Sequence, residues 1–134
     1  VYKVIYPITM SEALEQEMLC NYIRSNYPGI VFLSDASGIK MTMGQAVRWS
    51  KLKSHRGIPD LIILCPRNGW HGLMIELKRT GEKIYKKDGT LKTTHLDEQW
   101  EVLSILEYHG YVARFCIGFE EARDLLNKYM NGEI

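Results

Sequence analysis

A chain of 134 residues with 46% hydrophobic and 25% charged side chains is expected to form a single domain over residues 1–134 with an ordinary buried core. No run is long and apolar enough for a membrane span, no charged-then-apolar leader is read, and Cys20, Cys65 and Cys116 are too scattered for a disulfide framework or a zinc site. The expectation is an intracellular protein with reduced thiols and no membrane partner. A net charge of +1 gives no overall attraction for a polyanion, so any such role must come from how the charges are distributed.

Residues 1–9 read as an N-terminal arm or strand, stopped by Pro7. Thr9 or Ser11 caps a first helix running to about Asn26, where Asn26-Tyr27-Pro28-Gly29 ends it. On a helical wheel Leu14, Met18, Leu19, Tyr22 and Ile23 form the buried arc. Glu15 lies near the centre of that arc, and a carboxylate there needs a partner. Glu12, on the same broad side, is its rival, but if Thr9 is the cap then Glu12 completes a capping box instead. Gln16 is placed to orient either. Ile30–Ser34 reads as a short strand. Between Ala36 and Pro59 there is no acidic residue, whereas Lys40, Arg48, Lys51, Lys53 and Arg56 are basic. Thr42 and Gln45 signal a capping box opening a short helix, with Met43, Ala46 and Val47 facing inward and Arg48, Lys51 and His55 on another face. Such a face is either simply solvated or a surface for a polyanion backbone; its nearness to Asp60 favours the second.

Asp60 opens the apolar run Leu61-Ile62-Ile63-Leu64-Cys65, too short for a helix and rich in β-formers, and Pro66 to Gly69 supply turn residues before a second strand from about Gly72 to Lys78. The pair reads as a hairpin. Alternation sends Met74, Glu76 and Lys78 to one face and Leu73, Ile75 and Leu77 to the other. Both faces are apolar at the centre, so the strand is interior, and two charges on it are costly unless they serve each other or an ion. Pro59 is tolerated only where the strand begins, which leaves Asp60 at its mouth opposite Glu76.

Gly81 to Thr94 reads as a hairpin tip or loop whose Lys83, Lys86, Lys87 and Lys92 serve solubility or touch a substrate. A helix from about Leu96 to His109 carries Gln99 on the face of Leu103 and Leu106, with Trp100 expected in the core. A strand from Tyr111 to Ile117 and a helix from Phe119 to about Met130 complete an α-β-α-β-β-α-β-α order. The four histidines show neither HExxH nor HxH spacing, and no P-loop or GxGxxG is present, so a transition-metal site and nucleotide chemistry have no support.

Pro59-Asp60 followed by Glu76-Leu77-Lys78 resembles the PD-(D/E)xK nuclease superfamily. Arg56-Gly57-Ile58-Pro59-Asp60 together with Gln99-Trp100 resembles its VRR-NUC branch, over Ser11 to about Asp124. The resemblance implies an α/β fold with a restriction-endonuclease-like αβββαβ core, a mixed central sheet flanked by helices, with an added helix before the second core strand and another at the C-terminus. It implies a Mg²⁺- or Mn²⁺-dependent deoxyribonuclease. Asp60, Glu76, Glu15 and the Leu77 carbonyl would hold the ion in an all-oxygen site. Lys78 would position the attacking water or hold the developing phosphorane, and Gln99 would line the site. Arg48, Lys51, Lys53 and Arg56 would then hold the DNA backbone. Free-standing members of the branch resemble Holliday-junction resolvases, which implies a homodimer acting on branched or four-way DNA in repair, recombination or phage DNA processing. The alternatives are a restriction-like or flap-type nuclease, or a catalytically silent DNA-binding subunit.

Overall fold

Helix α1 (Glu12–Asn26) begins at Ser11, whose side chain accepts the Leu14 N–H at 3.1 Å. The computed structural model describes residues 10–35 and 39–134, so the expected arm over 1–9, with Thr9, lies outside the described residues. With Ser11 as the cap, Glu12 is the first helical residue and stands outside the capping-box geometry. Then follow β1 (Phe32–Ser34), α2 (Met43–Lys51), β2 (Leu61–Ile63), β3 (Leu73–Lys78), α3 (Thr94–Tyr108), β4 (Val112–Ile117) and α4 (Gly118–Met130). The order is the expected one. The regular strand around Asp60 is shorter than its apolar run, covering only Leu61–Ile63 opposite Phe32–Ser34, although the Leu64 N–H still donates to the Val31 carbonyl at 2.9 Å. The Leu64 side chain is 57% exposed.

The sheet runs β1-β2-β3-β4, with β1/β2 and β2/β3 antiparallel and β3/β4 parallel, so it is mixed as expected. Asn68 and Gly69 join β2 to β3, both with positive φ, between the paired Arg67 and Trp70. Two positive φ values at the centre of a tight turn match the twist of antiparallel strands, which is why Asn-Gly stands there. The parallel β3/β4 pair needs a crossover, and α3 supplies it.

The sheet is covered on both sides. Leu19 and Ile23 of α1 and Leu125, Leu126 and Tyr129 of α4 pack on Leu61, Ile63, Leu73, Ile75, Leu77 and Val112. On the other face Met74 and Ala113 meet Leu103 of α3. All six residues of β3 are buried, so it is the interior strand its composition implies.

Three expectations about burial are corrected. Leu14, assigned to the buried arc of α1, is 45% exposed, and Cys20 is buried in addition. Met43, Ala46 and Val47 are exposed, Met43 by 85%, because no element packs on α2 closely enough to bury any of its residues. Its capping box is present with both bonds, Gln45 N–H to Thr42 Oγ1 at 3.2 Å and Thr42 N–H to Gln45 Oε1 at 2.9 Å. Local chemistry forms the helix while tertiary packing leaves it uncovered. Trp100 is 53% exposed rather than in the core, since α3 buries the adjoining face that carries Gln99, Val102 and Leu103.

Candidate active site

Backbone register sets the centre. Leu61 pairs with Ile75, so Asp60, just before β2, stands across from Glu76. Its Oδ2 accepts the Leu77 N–H at 2.9 Å. The loop that delivers Asp60 is shaped by Gly57, whose φ is 76°. A Cβ there would lie 3.0 Å from Gln99 Cα. Glycine therefore permits both the left-handed turn and the close approach to α3.

Alternation along β3 sends Glu76 and Lys78 to the α3 side of the sheet. Gln99 Nε2 donates to Glu76 Oε1 at 2.6 Å, and Lys78 Nζ lies 3.6 Å from the same oxygen. Asp60, Glu76, Lys78 and Gln99 are all buried. Glu76 Oε2 and Gln99 Oε1 are buried with no hydrogen-bond partner among the described residues, an arrangement native proteins keep only for a reason. Burial pushes the Glu76 carboxyl up to about 9; the charge of Asp60 adds to the rise and Lys78 opposes it. Among the described residues no three His, Cys, Asp or Glu side chains form a ready-made ion cluster.

The two glutamates of α1 part company. Glu15 is fully buried, as its place on the wheel predicts, but it is turned to other partners. Its carboxylate accepts the Thr80 N–H at 2.8 Å, the Thr80 hydroxyl, and the Phe119 N–H at 3.2 Å. Helix α4 has no side-chain cap of its own, so Glu15 satisfies an orphan amide at its N-terminus, where the helix dipole favours a negative charge. Glu15 thus joins α1, the segment after β3 and the start of α4, and its oxygens are occupied away from the Asp60–Glu76 pair. Partly buried Glu12 is the one coupled to that pair. Its carboxyl is raised by burial first and by Asp60 second, with Lys78 pulling the other way. Gln16 reaches neither glutamate; its Nε2 donates to Ser34 Oγ at 2.6 Å and to the Asp35 carbonyl at 2.9 Å.

Arg48, Lys51 and Arg56 are exposed, and Lys53 lies with its Nζ 5.8 Å from the Trp49 ring centroid. Two acidic residues escaped the sequence reading. Asp35 N–H donates to the Asp60 carbonyl at 2.6 Å, and Asp35 Oδ1 is buried without a partner among the described residues. Glu82, in the lysine-rich loop, adds its charge to those raising Glu12. Only spatial adjacency reveals either one, because neither sits in a periodic pattern. Cys20, Cys65 and Cys116 are buried free thiols, as expected. No helix of the described residues is long and apolar enough to cross a membrane.

No protein-family model matches the chain, and no curated protein matches it. Among solved structures it is similar to one titled "VRR_NUC domain protein", at 23% identity and a TM-score of 0.67, over 92% of this chain and 90% of that one. The chain therefore shares the α/β fold of that protein, a mixed four-stranded sheet flanked by helices.

Proposed function

We propose that this chain is a metal-dependent DNA endonuclease of the VRR-NUC type. The observation that carries the reading is the buried Asp60–Glu76–Lys78–Gln99 set, in which one oxygen of Glu76 and one of Gln99 have no partner. A carboxyl raised to about 9 by burial and a neighbouring carboxylate is the kind of perturbed group that gathers at functional sites, and a cation is what would favour its ionised form. The donors are all oxygen, which suits Mg²⁺ or Mn²⁺, and such ions commonly take one or two carboxylates and complete their shell with water and substrate phosphate. Asp60 and Glu76 are the proposed ligands, with the Leu77 carbonyl. Glu12 replaces Glu15 as the third carboxylate. A bound ion would acidify a water and offset charge on the scissile phosphate.

The chain's own groups do the rest. Gln99 holds Glu76 in one orientation through its 2.6 Å bond. Lys78 is kept beside Glu76 and 6.0 Å from the Phe115 ring centroid. Its ammonium is the group that positions the attacking water or steadies the charge developing on phosphorus. Arg48, Lys51, Lys53 and Arg56 hold the DNA backbone. The substrate we favour is branched, four-way DNA cut by a homodimer, in the manner of a Holliday-junction resolvase.

A plasmid-nicking assay with and without Mg²⁺ tests the reading. Nicking is expected only with the ion, and Asp60→Ala and Glu76→Ala should each abolish it and weaken Mn²⁺ binding while the fold survives. Full activity in either variant would remove the assignment. DNA binding without any nicking would make the chain a silent binding subunit, and equal cutting of junction and linear duplex would favour a restriction-like or flap-type enzyme.

A further inference from the structure

The Trp100 indole, beside the buried face of α3, is left 53% exposed. It is not idle there. The Trp100 ring stacks on Phe115, with an interplanar angle of 10° and centroids 6.4 Å apart. Together with Tyr85 and Leu103 these rings line a groove of about 310 Å³, and Glu107 and Arg114 stand at its polar rim, 3.9 Å apart. Large aromatic surface left open beside a polar rim marks a binding site more often than an accident of packing.

The groove adjoins the candidate active site through Phe115. Phe115 pairs with Glu76 in the sheet register, and Lys78 Nζ lies 6.0 Å from the Phe115 centroid. Gln99, the residue before Trp100, holds Glu76. The loop that brings Tyr85 also carries the exposed Lys83, Lys86 and Lys87. An aromatic platform with lysines on the adjoining loop and the proposed phosphate-cutting centre beside it matches the way single strands are held, with bases on rings and backbone on cations.

We propose that this groove binds one unpaired nucleobase of the DNA strand, stacked on Trp100 next to the scissile phosphate. The proposal rests on the endonuclease reading and narrows its substrate. Bases inside an intact duplex are stacked on each other and cannot enter, so the DNA must present an unstacked nucleotide, as at a gap, a bulge or the crossing point of a junction. The Glu107 carboxylate supplies an acceptor for a base amino group at the rim.

The test uses the full chain without metal, so that binding is read apart from cutting. Two probes are compared by fluorescence anisotropy: a duplex with an unpaired 2-aminopurine in a short gap, and the same duplex fully paired. Wild type should prefer the gapped probe and quench its 2-aminopurine. Trp100→Ala should weaken gapped binding about tenfold, the size of one base–aromatic contact, and abolish the quench, with the paired duplex unaffected. Trp100→Phe should restore stacking, and Tyr85→Ala should weaken gapped binding to a lesser degree. Tyr108→Ala, an exposed aromatic outside the groove, should change nothing. Equal losses on both probes, an undiminished quench in Trp100→Ala, or a change of oligomeric state as its only effect would each overturn the proposal. If wild type nicks plasmid with Mg²⁺ but shows none of the gapped preference, the groove proposal alone falls. If it neither binds nor nicks DNA, the endonuclease reading falls and takes the groove with it.

Discussion

Burial and the charge of Asp60 outweigh the pull of Lys78 and raise the Glu76 carboxyl to about 9, so without an added ion it is expected to keep its proton through the neutral range. The unfolded chain ionises the same carboxyl near 4.5. A folded-state value above the unfolded one means that the native protein binds the proton more tightly, so the stability from this group is complete below the lower value. It is lost as pH rises toward about 9, at up to about 1.4 kcal/mol per pH unit. Thermal unfolding without metal should therefore show a melting temperature falling between about pH 5 and pH 9, and Glu76→Gln should flatten that fall. Parallel curves for the two proteins would show that Glu76 does not titrate in this way. Added Mg²⁺ should oppose the fall if it binds as proposed, since it would take the ionised form of the folded state alone. Glu12 and Glu15 separate by the same kind of measurement. Glu15→Gln sets an amide where three donors now meet a carboxylate, and a loss of about 1–3 kcal/mol in stability is expected. Glu12→Gln should leave stability within about 0.5 kcal/mol and remove Mg²⁺-dependent nicking. A stable, inactive Glu15→Gln beside an active Glu12→Gln would return the ligand role to Glu15.

At the scale of elements, α2 and the segment leading to Asp60 are the proposed basic approach to the site. None of α2 is buried, so neutralising its charges should leave the fold alone and act on binding only. Arg48→Ala, Lys51→Ala and Arg56→Ala should each weaken binding to all DNA sequences about equally and lower the slope of log affinity against log salt by about one. Loss confined to particular sequences would make the residue a base reader. The same helix shows where a sequence stops being informative about an element. Thr42 and Gln45 announce its start because a capping box involves only residues three apart. Whether its apolar side is covered depends on a neighbouring layer, and no local pattern encodes that. Trp100 misled for a related reason: its helix position lies next to the buried face, and a small rotation of α3 separates a core indole from an exposed one.

For the molecule as a whole, the proposed action on a four-way junction would require a homodimer with two equivalent sites. Sedimentation or light scattering should report a dimer, and the dimer should prefer four-way junctions to linear duplex under Mg²⁺. A strict monomer without that preference would remove the resolvase reading and leave the nuclease one standing. The order of elements, the β2–β3 hairpin, the interior character of β3 and the pairing of Asp60 with Glu76 and Lys78 were legible in the chain, because turn chemistry, strand alternation and hairpin register are local. Periodicity gave the inward face of Gln99, while its place beside Glu76 was implied by the family resemblance alone. Long-range packing set the rest: Glu15 faces Thr80 and Phe119 while the charge of Asp60 acts on Glu12, Asp35 meets the Asp60 backbone, the charge of Glu82 acts on Glu12, and α2 and Trp100 stay open to solvent. A periodic pattern tells which side of an element a residue is on; what waits on that side is set by the packing of distant segments, here α4 and the turn after β3, whose amides take the carboxylate that the helical wheel had turned inward.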